Sequence, residues 1–115
     1  MVAALSGAGC FDERDRVGPP RLTLSIDADT TFSPDTITGR VRAEDPDGID
    51  SIWLAFAGDT FPADGLLLPV LDRAFALQVA PGVGPGTPLA ISLSGRDLRG
   101  FSATISDTVR VVPGP

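Results

Sequence analysis

Hydrophobic positions recur at every second residue over most of this chain. Between residues 36 and 44, apolar or small side chains alternate with polar ones, at Ile37, Gly39, Val41 and Ala43. This period of two predicts a β-strand with one buried and one solvated face. Asp45-Pro46-Asp47-Gly48 interrupts it, because proline presets φ and aspartate and glycine favour turns. The alternation resumes at Ile52, Leu54 and Phe56, so the stretch predicts a strand, a tight acidic turn and a second strand.

The same alternation, interrupted by proline and glycine, predicts about seven strands and no helix. Their predicted bounds are 21–26, 31–35, 36–44, 49–57, 66–71 together with 73–80, 87–94 and 101–112. Residues 58–72 are interpreted as a loop whose apolar part, 66–71, forms an edge strand or a plug over the core, and residues 95–100 as a hairpin connection. We therefore predict an all-β chain with a single antiparallel β-sandwich.

Composition narrows the function classes. The chain has 115 residues and a net charge of −6, and its nine positive charges are all arginine. An acidic domain without a clustered basic face is a poor nucleic-acid binder, so we expect no nucleic-acid partner. Histidine and tyrosine are absent and there is one cysteine, which excludes histidine-based acid–base catalysis, Cys/His zinc sites and an intrachain disulfide.

The first ten residues, MVAALSGAGC, are small, apolar and uncharged, and they end at the only cysteine, Cys10. They resemble the end of a bacterial lipoprotein signal, in which small residues precede a cysteine that is lipidated. The resemblance implies lipidation of Cys10 and attachment to the membrane through a lipid anchor; an ordinary tail with an incidental thiol is the alternative. Residues 11–20 are then a flexible linker, residues 21–112 the folded domain and residues 113–115 a C-terminal tail.

The folded part, residues 21–112, resembles the bacterial Ig-like domains of secreted and surface proteins. The shared features are a strand running into AEDPDG at 43–48, the strand FALQV at 75–79, a Pro/Gly turn, a strand ending in GRD at 95–97 and a closing TVRV at 108–111. The resemblance implies an Ig-like β-sandwich outside the cytoplasm, either held in the cell envelope or secreted. Because such sandwiches carry many functions, it implies no particular activity.

Aspartates accumulate at the predicted turns: Asp27, Asp29, Asp45, Asp47, Asp50 and Asp97. Ca²⁺ takes six to eight oxygen ligands, often from loop carboxylates, so these residues, Asp50 aside, are candidate ligands of a Ca²⁺ cofactor. Ordinary turn chemistry is the alternative, since aspartate is a common turn residue.

Trp53, the only tryptophan, lies on the face of its strand opposite Ile52 and Leu54. With Phe61 or Leu66–Leu68 it forms a candidate apolar patch for a protein or glycan ligand. The alternative is that the loop 58–72 covers it.

No spacing of nucleophile, base or phosphate-binding residues matches a known catalytic motif. We therefore expect a non-enzymatic binding or structural module of the cell envelope. A carbohydrate- or calcium-binding accessory domain of a surface protein is the alternative.

Overall fold

The computed structural model describes residues 18–114, which form eight β-strands and no helix. The strands are β1 (Arg21–Ile26), β2 (Thr30–Thr31), β3 (Thr36–Glu44), β4 (Ile49–Phe56), β5 (Asp59–Asp64), β6 (Val70–Gln78), β7 (Pro88–Asp97) and β8 (Ser102–Val111). Three of them form a sheet in the order β1-β3-β6, and five form a second sheet in the order β2-β8-β7-β4-β5. The predicted all-β fold with two packed sheets is confirmed. In the part of the chain that is described, no helix is long and apolar enough to cross a membrane.

The inward positions predicted from the alternation form the core between the two sheets. Ile37 and Val41 are buried on β3, and Ile52, Leu54 and Phe56 on β4. The same phase holds on the later strands, where the buried residues are Leu77, Val79, Ile91, Leu93, Val109 and Val111. Period-two patterning therefore identified the buried face of each long strand.

Strand β5 is the main departure from the predicted arrangement. Residues 59–64 pair antiparallel with β4 along an edge of the five-stranded sheet, where a loop was predicted. Pro62 and the flanking aspartates are typical of turns, but an edge strand tolerates proline because one side of its backbone needs no partner. The fold therefore has eight strands instead of about seven.

The other differences concern where strands begin and end. The predicted strand 31–35 is reduced to the two residues of β2, which pair with β8 in parallel, so the sandwich is not wholly antiparallel. The predicted strand 66–71 begins only at Val70, and Leu66–Leu68 form an exposed turn instead of a plug. Strand β7 continues to Asp97, through the first part of the predicted hairpin connection. This extension determines the geometry of the acidic end of the molecule.

Candidate metal centre

Two buried carboxylates lie at one end of the core. Each occupies the next inward-facing position after the last buried residues of its strand. On β3 the buried positions continue past Ala43 to Asp45, which is 2% exposed. On β7 they continue past Leu93 and Gly95 to Asp97, which is 1% exposed. Because β3 and β7 belong to different sheets, the two aspartates approach each other from opposite layers of the sandwich.

The turn after β3 adds a third carboxylate. The carbonyl oxygen of Asp45 accepts a hydrogen bond from the amide of Gly48 at 3.0 Å, which closes a β-turn with Pro46 in its second position. The Asp45 Oδ1 atom accepts a hydrogen bond from the amide of Asp47 at 2.9 Å. Gly48 has φ +98°, and a Cβ there would lie 2.7 Å from the carbonyl oxygen of Leu67, so the turn requires glycine at this position. These contacts direct Asp47 towards the same end of the core.

Asp97 is fixed by the hairpin between β7 and β8. Its Oδ1 atom accepts a hydrogen bond from the amide of Phe101 at 2.9 Å, and its backbone N–H donates to the carbonyl oxygen of Phe101. On the neighbouring strand a register shift between Ile49 and Ser51 allows Ile49, which pairs with Asp97, to be buried. The shift is a β-bulge, a feature that redirects side chains at strand ends.

Carboxylate oxygens of Asp45, Asp47 and Asp97, here called the acidic triad, lie within 4.8 Å of one another. Each residue has a buried Oδ2 atom to which no group in residues 18–114 donates a hydrogen bond. The Asp47 Oδ2 atom also lies 3.2 Å from Nε of Arg99, as an ion pair. Buried polar atoms are almost always satisfied in folded proteins, so the Oδ2 atoms of Asp45 and Asp97, which have no partner in the described residues, indicate a cation or a proton between them.

Burial raises the pKa of Asp45 above its ordinary value of 3.8. The carboxylates of Asp97 and Asp47 act in the same direction, and the hydrogen bond from the Asp47 amide opposes them. Asp45 therefore holds a proton more tightly in the folded protein than in the unfolded chain. The arrangement is suited to binding either a proton or a metal cation.

The raised pKa of Asp45 predicts an unusual pH dependence in calcium-free buffer. Since the folded state binds the proton more tightly, ionisation of Asp45 lowers stability as the pH rises from about 4 through the raised pKa. Asp45→Asn cannot ionise, so its melting temperature should exceed that of the wild type at pH 7 and approach it at about pH 4. Thermal melts across this range test the prediction, with Asp50→Asn as the control because Asp50 is only half-buried and is ion-paired with Arg96. An advantage of Asp45→Asn that does not change with pH would contradict it.

The remaining predicted ligands lie elsewhere. Asp27 follows β1, and its Oδ2 atom accepts a hydrogen bond from the hydroxyl of Thr38. Thr38 precedes Asp45 by seven residues along the chain. That separation along an extended strand is about 20 Å. The carbonyl oxygen of Asp29 accepts a hydrogen bond from the amide of Arg110, at the opposite end of the sandwich. The five candidate calcium ligands are therefore not brought together as one group, and only the acidic triad converges.

The two aromatic candidates, Trp53 and Phe61, lie on opposite faces of the five-stranded sheet. In the antiparallel register Trp53 is opposite Pro62, whereas Phe61 is opposite the inward-facing Leu54. Trp53 is half-buried and Phe61 is 46% exposed. Binding of a glycan or protein ligand by these residues remains a prediction.

Phe61 is exposed because the two sheets are open along one side. There it lines a cavity of about 180 Å³ together with Phe75 of β6, and Trp53 is also among the residues that line this cavity. The lipidation site, Cys10, lies outside the described residues and also remains a prediction.

The comparisons with known proteins support the fold alone. No family model matches the chain, and a search of the curated proteins gives no match. Among solved structures, the fold is similar to that of Spo0M, a sporulation control protein from Bacillus subtilis, with a TM-score of 0.64 at 11% sequence identity. The similarity covers 86% of this chain and 51% of that one, so the chain spans about half the length of the structure that it matches. At this identity, the likeness shows that the chain has the same kind of all-β fold.

Proposed function

We propose that this chain is a non-enzymatic Ig-like module of the cell envelope whose acidic triad binds one calcium ion. The observation that carries the calcium assignment is the set of three converging carboxylates whose buried Oδ2 atoms accept no hydrogen bond from residues 18–114; only that of Asp47 has an ion-pair partner, Arg99. Two of them belong to side chains that are almost fully buried, Asp45 and Asp97, where an uncompensated negative charge is costly.

Calcium fits the chemistry of this donor set. The triad supplies at least three carboxylate oxygens, and backbone carbonyls and water can complete the six to eight ligands that Ca²⁺ takes. Extracellular modules bind Ca²⁺ with dissociation constants of about 0.1–1 mM. The bound ion would neutralise charge that two sheets and one turn bring together, and would thereby stabilise this end of the sandwich.

A proton shared between Asp45 and Asp97 is the competing account. It would satisfy their two facing oxygens without a metal, and it agrees with the raised pKa of Asp45. The two accounts differ in their response to calcium, because a shared proton gives no specific stabilisation by the ion.

Thermal melting of the 115-residue chain tests the assignment. For a dissociation constant of about 0.1–1 mM, 10 mM calcium should stabilise the folded state by about 1.4–2.7 kcal/mol, which raises the melting temperature by roughly 5–20 °C. Magnesium at the same concentration should have a smaller effect, because it demands octahedral geometry and loses its water reluctantly. Melting curves that coincide in calcium and in EDTA would favour the shared proton and remove the calcium site.

Support for the envelope location comes from the sequence. The strands begin at Arg21, so the uncharged segment ending at Cys10 and the charged segment 11–20 both precede the folded domain. This is the order that a lipid anchor and a linker require. Globomycin, which blocks processing of lipoprotein signals, should cause the unprocessed form of an exported protein to accumulate if Cys10 is lipidated; unchanged processing would remove the anchor from the proposal.

A further inference from the structure

Exposed hydrophobic side chains are concentrated at the end of the fold that carries the acidic triad. Eight large hydrophobic side chains are exposed in the described residues, and six of them lie on or beside two loops at this end: Leu66, Leu67, Leu68, Val70, Leu98 and Phe101. Leu66 and Leu98 are each 60% exposed. Scattered apolar residues are ordinary on protein surfaces, but a cluster of this kind marks an interaction site. We call Leu66–Leu68, Leu98 and Phe101 the apolar tip.

The two loops of the apolar tip are held together by the turn that carries the triad. The amide of Leu98 donates to the carbonyl oxygen of Gly48 at 3.1 Å. On the other side of the turn, Leu67 and Leu68 exchange backbone hydrogen bonds with Ile49, at 2.9 and 2.8 Å. The leucines therefore form one surface on a fixed backbone.

Two adjacent leucines of the tip have unusual backbone conformations. Leu66 has φ +56° and Leu67 has φ +55°, in the left-handed region that bulky side chains rarely adopt. The conformation is maintained by the hydrogen bonds to Ile49, and in it the side chains of both residues stay in solvent. A strained loop that exposes leucine gives the isolated domain no packing benefit, so its side chains are available to a partner.

The N-terminal part of the chain joins the fold at this same end. Pro20 is buried and packs towards Gly95 of β7, two residues before Asp97. Arg21 pairs with Glu44, which directly precedes Asp45. Cys10, the proposed lipidation site, therefore connects through residues 11–19 to the end of the sandwich that carries the apolar tip. The last strand, β8, ends at the opposite end of the sandwich, where Val111 pairs with Thr31.

We propose that the apolar tip inserts into the interfacial region of a lipid bilayer, with the triad end of the sandwich facing the membrane. A lipid surface suits a tip of exposed aliphatic and aromatic side chains better than a small soluble ligand, which needs a concave pocket. The connection of the N-terminal segment to the same end gives the geometry that a membrane-tethered domain needs in order to lie on its own membrane. The inference rests on the envelope location of the proposed function and not on calcium binding.

Vesicle co-sedimentation of the full chain tests the inference. Cys10→Ser removes any lipidation site, so that binding reports the domain itself, and the vesicles contain phosphatidylcholine and phosphatidylglycerol at a ratio of about 3:1, in parallel calcium and EDTA arms. Leu67→Asn combined with Leu98→Ser should lower the partition coefficient about tenfold. Asparagine tolerates the left-handed backbone of Leu67, so this variant should still fold. Phe32→Ser, which alters an exposed aromatic residue near the opposite end, is the matched control and should bind as the parent does.

The outcomes separate docking from the calcium site. Membrane insertion of the apolar tip is supported if the parent binds vesicles in either arm, the double variant does not bind and Phe32→Ser still binds. This conclusion does not depend on what the melting curves show about calcium. Absence of vesicle binding by the parent, or equal binding by the double variant, would overturn it. A concentration-dependent dimer that the double variant abolishes would also overturn it, because the tip would then be covered by a second copy of the chain.

Discussion

Asp45→Asn should raise the calcium-free melting temperature and at the same time abolish the response to calcium. The Oδ1 atom would still accept the hydrogen bond from the Asp47 amide, while the new amide group would donate to the carboxylate of Asp97. Removing one buried charge and satisfying a buried oxygen should stabilise the apo protein by about 1–2 kcal/mol. This corresponds to roughly 5–10 °C in a domain of this size. With only two carboxylates left, the increase in melting temperature that calcium causes should fall below about 2 °C.

Paired melts in EDTA and in 10 mM calcium measure both effects. Asp50→Asn is the control, because it removes an equal charge close in sequence from an exposed ion pair with Arg96. This control should keep the full calcium response. If Asp45→Asn melted with the same calcium-induced rise as the wild type, the ion would be bound elsewhere.

Gly39→Ala should destabilise the domain by about 3 kcal/mol or more. Gly39 faces inward on β3, and a Cβ there would lie 2.2 Å from the carbonyl oxygen of Ser25 and 2.6 Å from the ring of Phe75. The first contact is with the backbone of the paired strand β1, which cannot move without breaking the ladder. The aromatic ring of Phe75, which pairs with Gly39 across β3 and β6, occupies the space that a side chain would need.

Chemical denaturation of Gly39→Ala measures this loss. Gly84→Ala is its control, since a Cβ at position 84 would meet nothing within 4 Å and no left-handed φ is required there. The control should be neutral or slightly stabilising, by up to about 1 kcal/mol. Near-equal stability of Gly39→Ala and the wild type would mean that β1, β3 and β6 are not paired as described.

The buried face of the sandwich could be predicted from the sequence because alternation is a local property. Ile52, Leu54 and Phe56 are buried as the pattern requires, and each is less than 7% exposed. Strand β5 could not be predicted in the same way. Its alternation is weak, since Phe61 shares the inward face but stays half in solvent at an open edge, and its pairing with β4 depends on a partner that the local sequence does not reveal.

The acidic triad is only partly predictable from the sequence, for a different reason. Asp45, Asp47 and Asp97 were candidates because aspartates at turns are potential ligands, but so were Asp27 and Asp29, which lie at the other end. The signal that separates them is phase: Asp45 continues the inward positions of β3, and Asp97 continues those of β7. Because the predicted strands end at residues 44 and 94, Asp45 and Asp97 fall in predicted turns and their inward phase is not apparent from the sequence. The convergence of the two strands also depends on the stacking of two sheets, which periodicity within one strand does not specify.

An NMR titration of the ¹⁵N-labelled chain with calcium tests the central claim most directly. The amides of Asp47 and Phe101 donate to the carboxylates of Asp45 and Asp97, so their resonances should shift most, and they should saturate together at one ion per chain. The amide resonances of Asp27 and Asp29 should not shift. Unchanged spectra up to 10 mM calcium, or shifts that centre on residues 27–29, would contradict a calcium site built from the acidic triad.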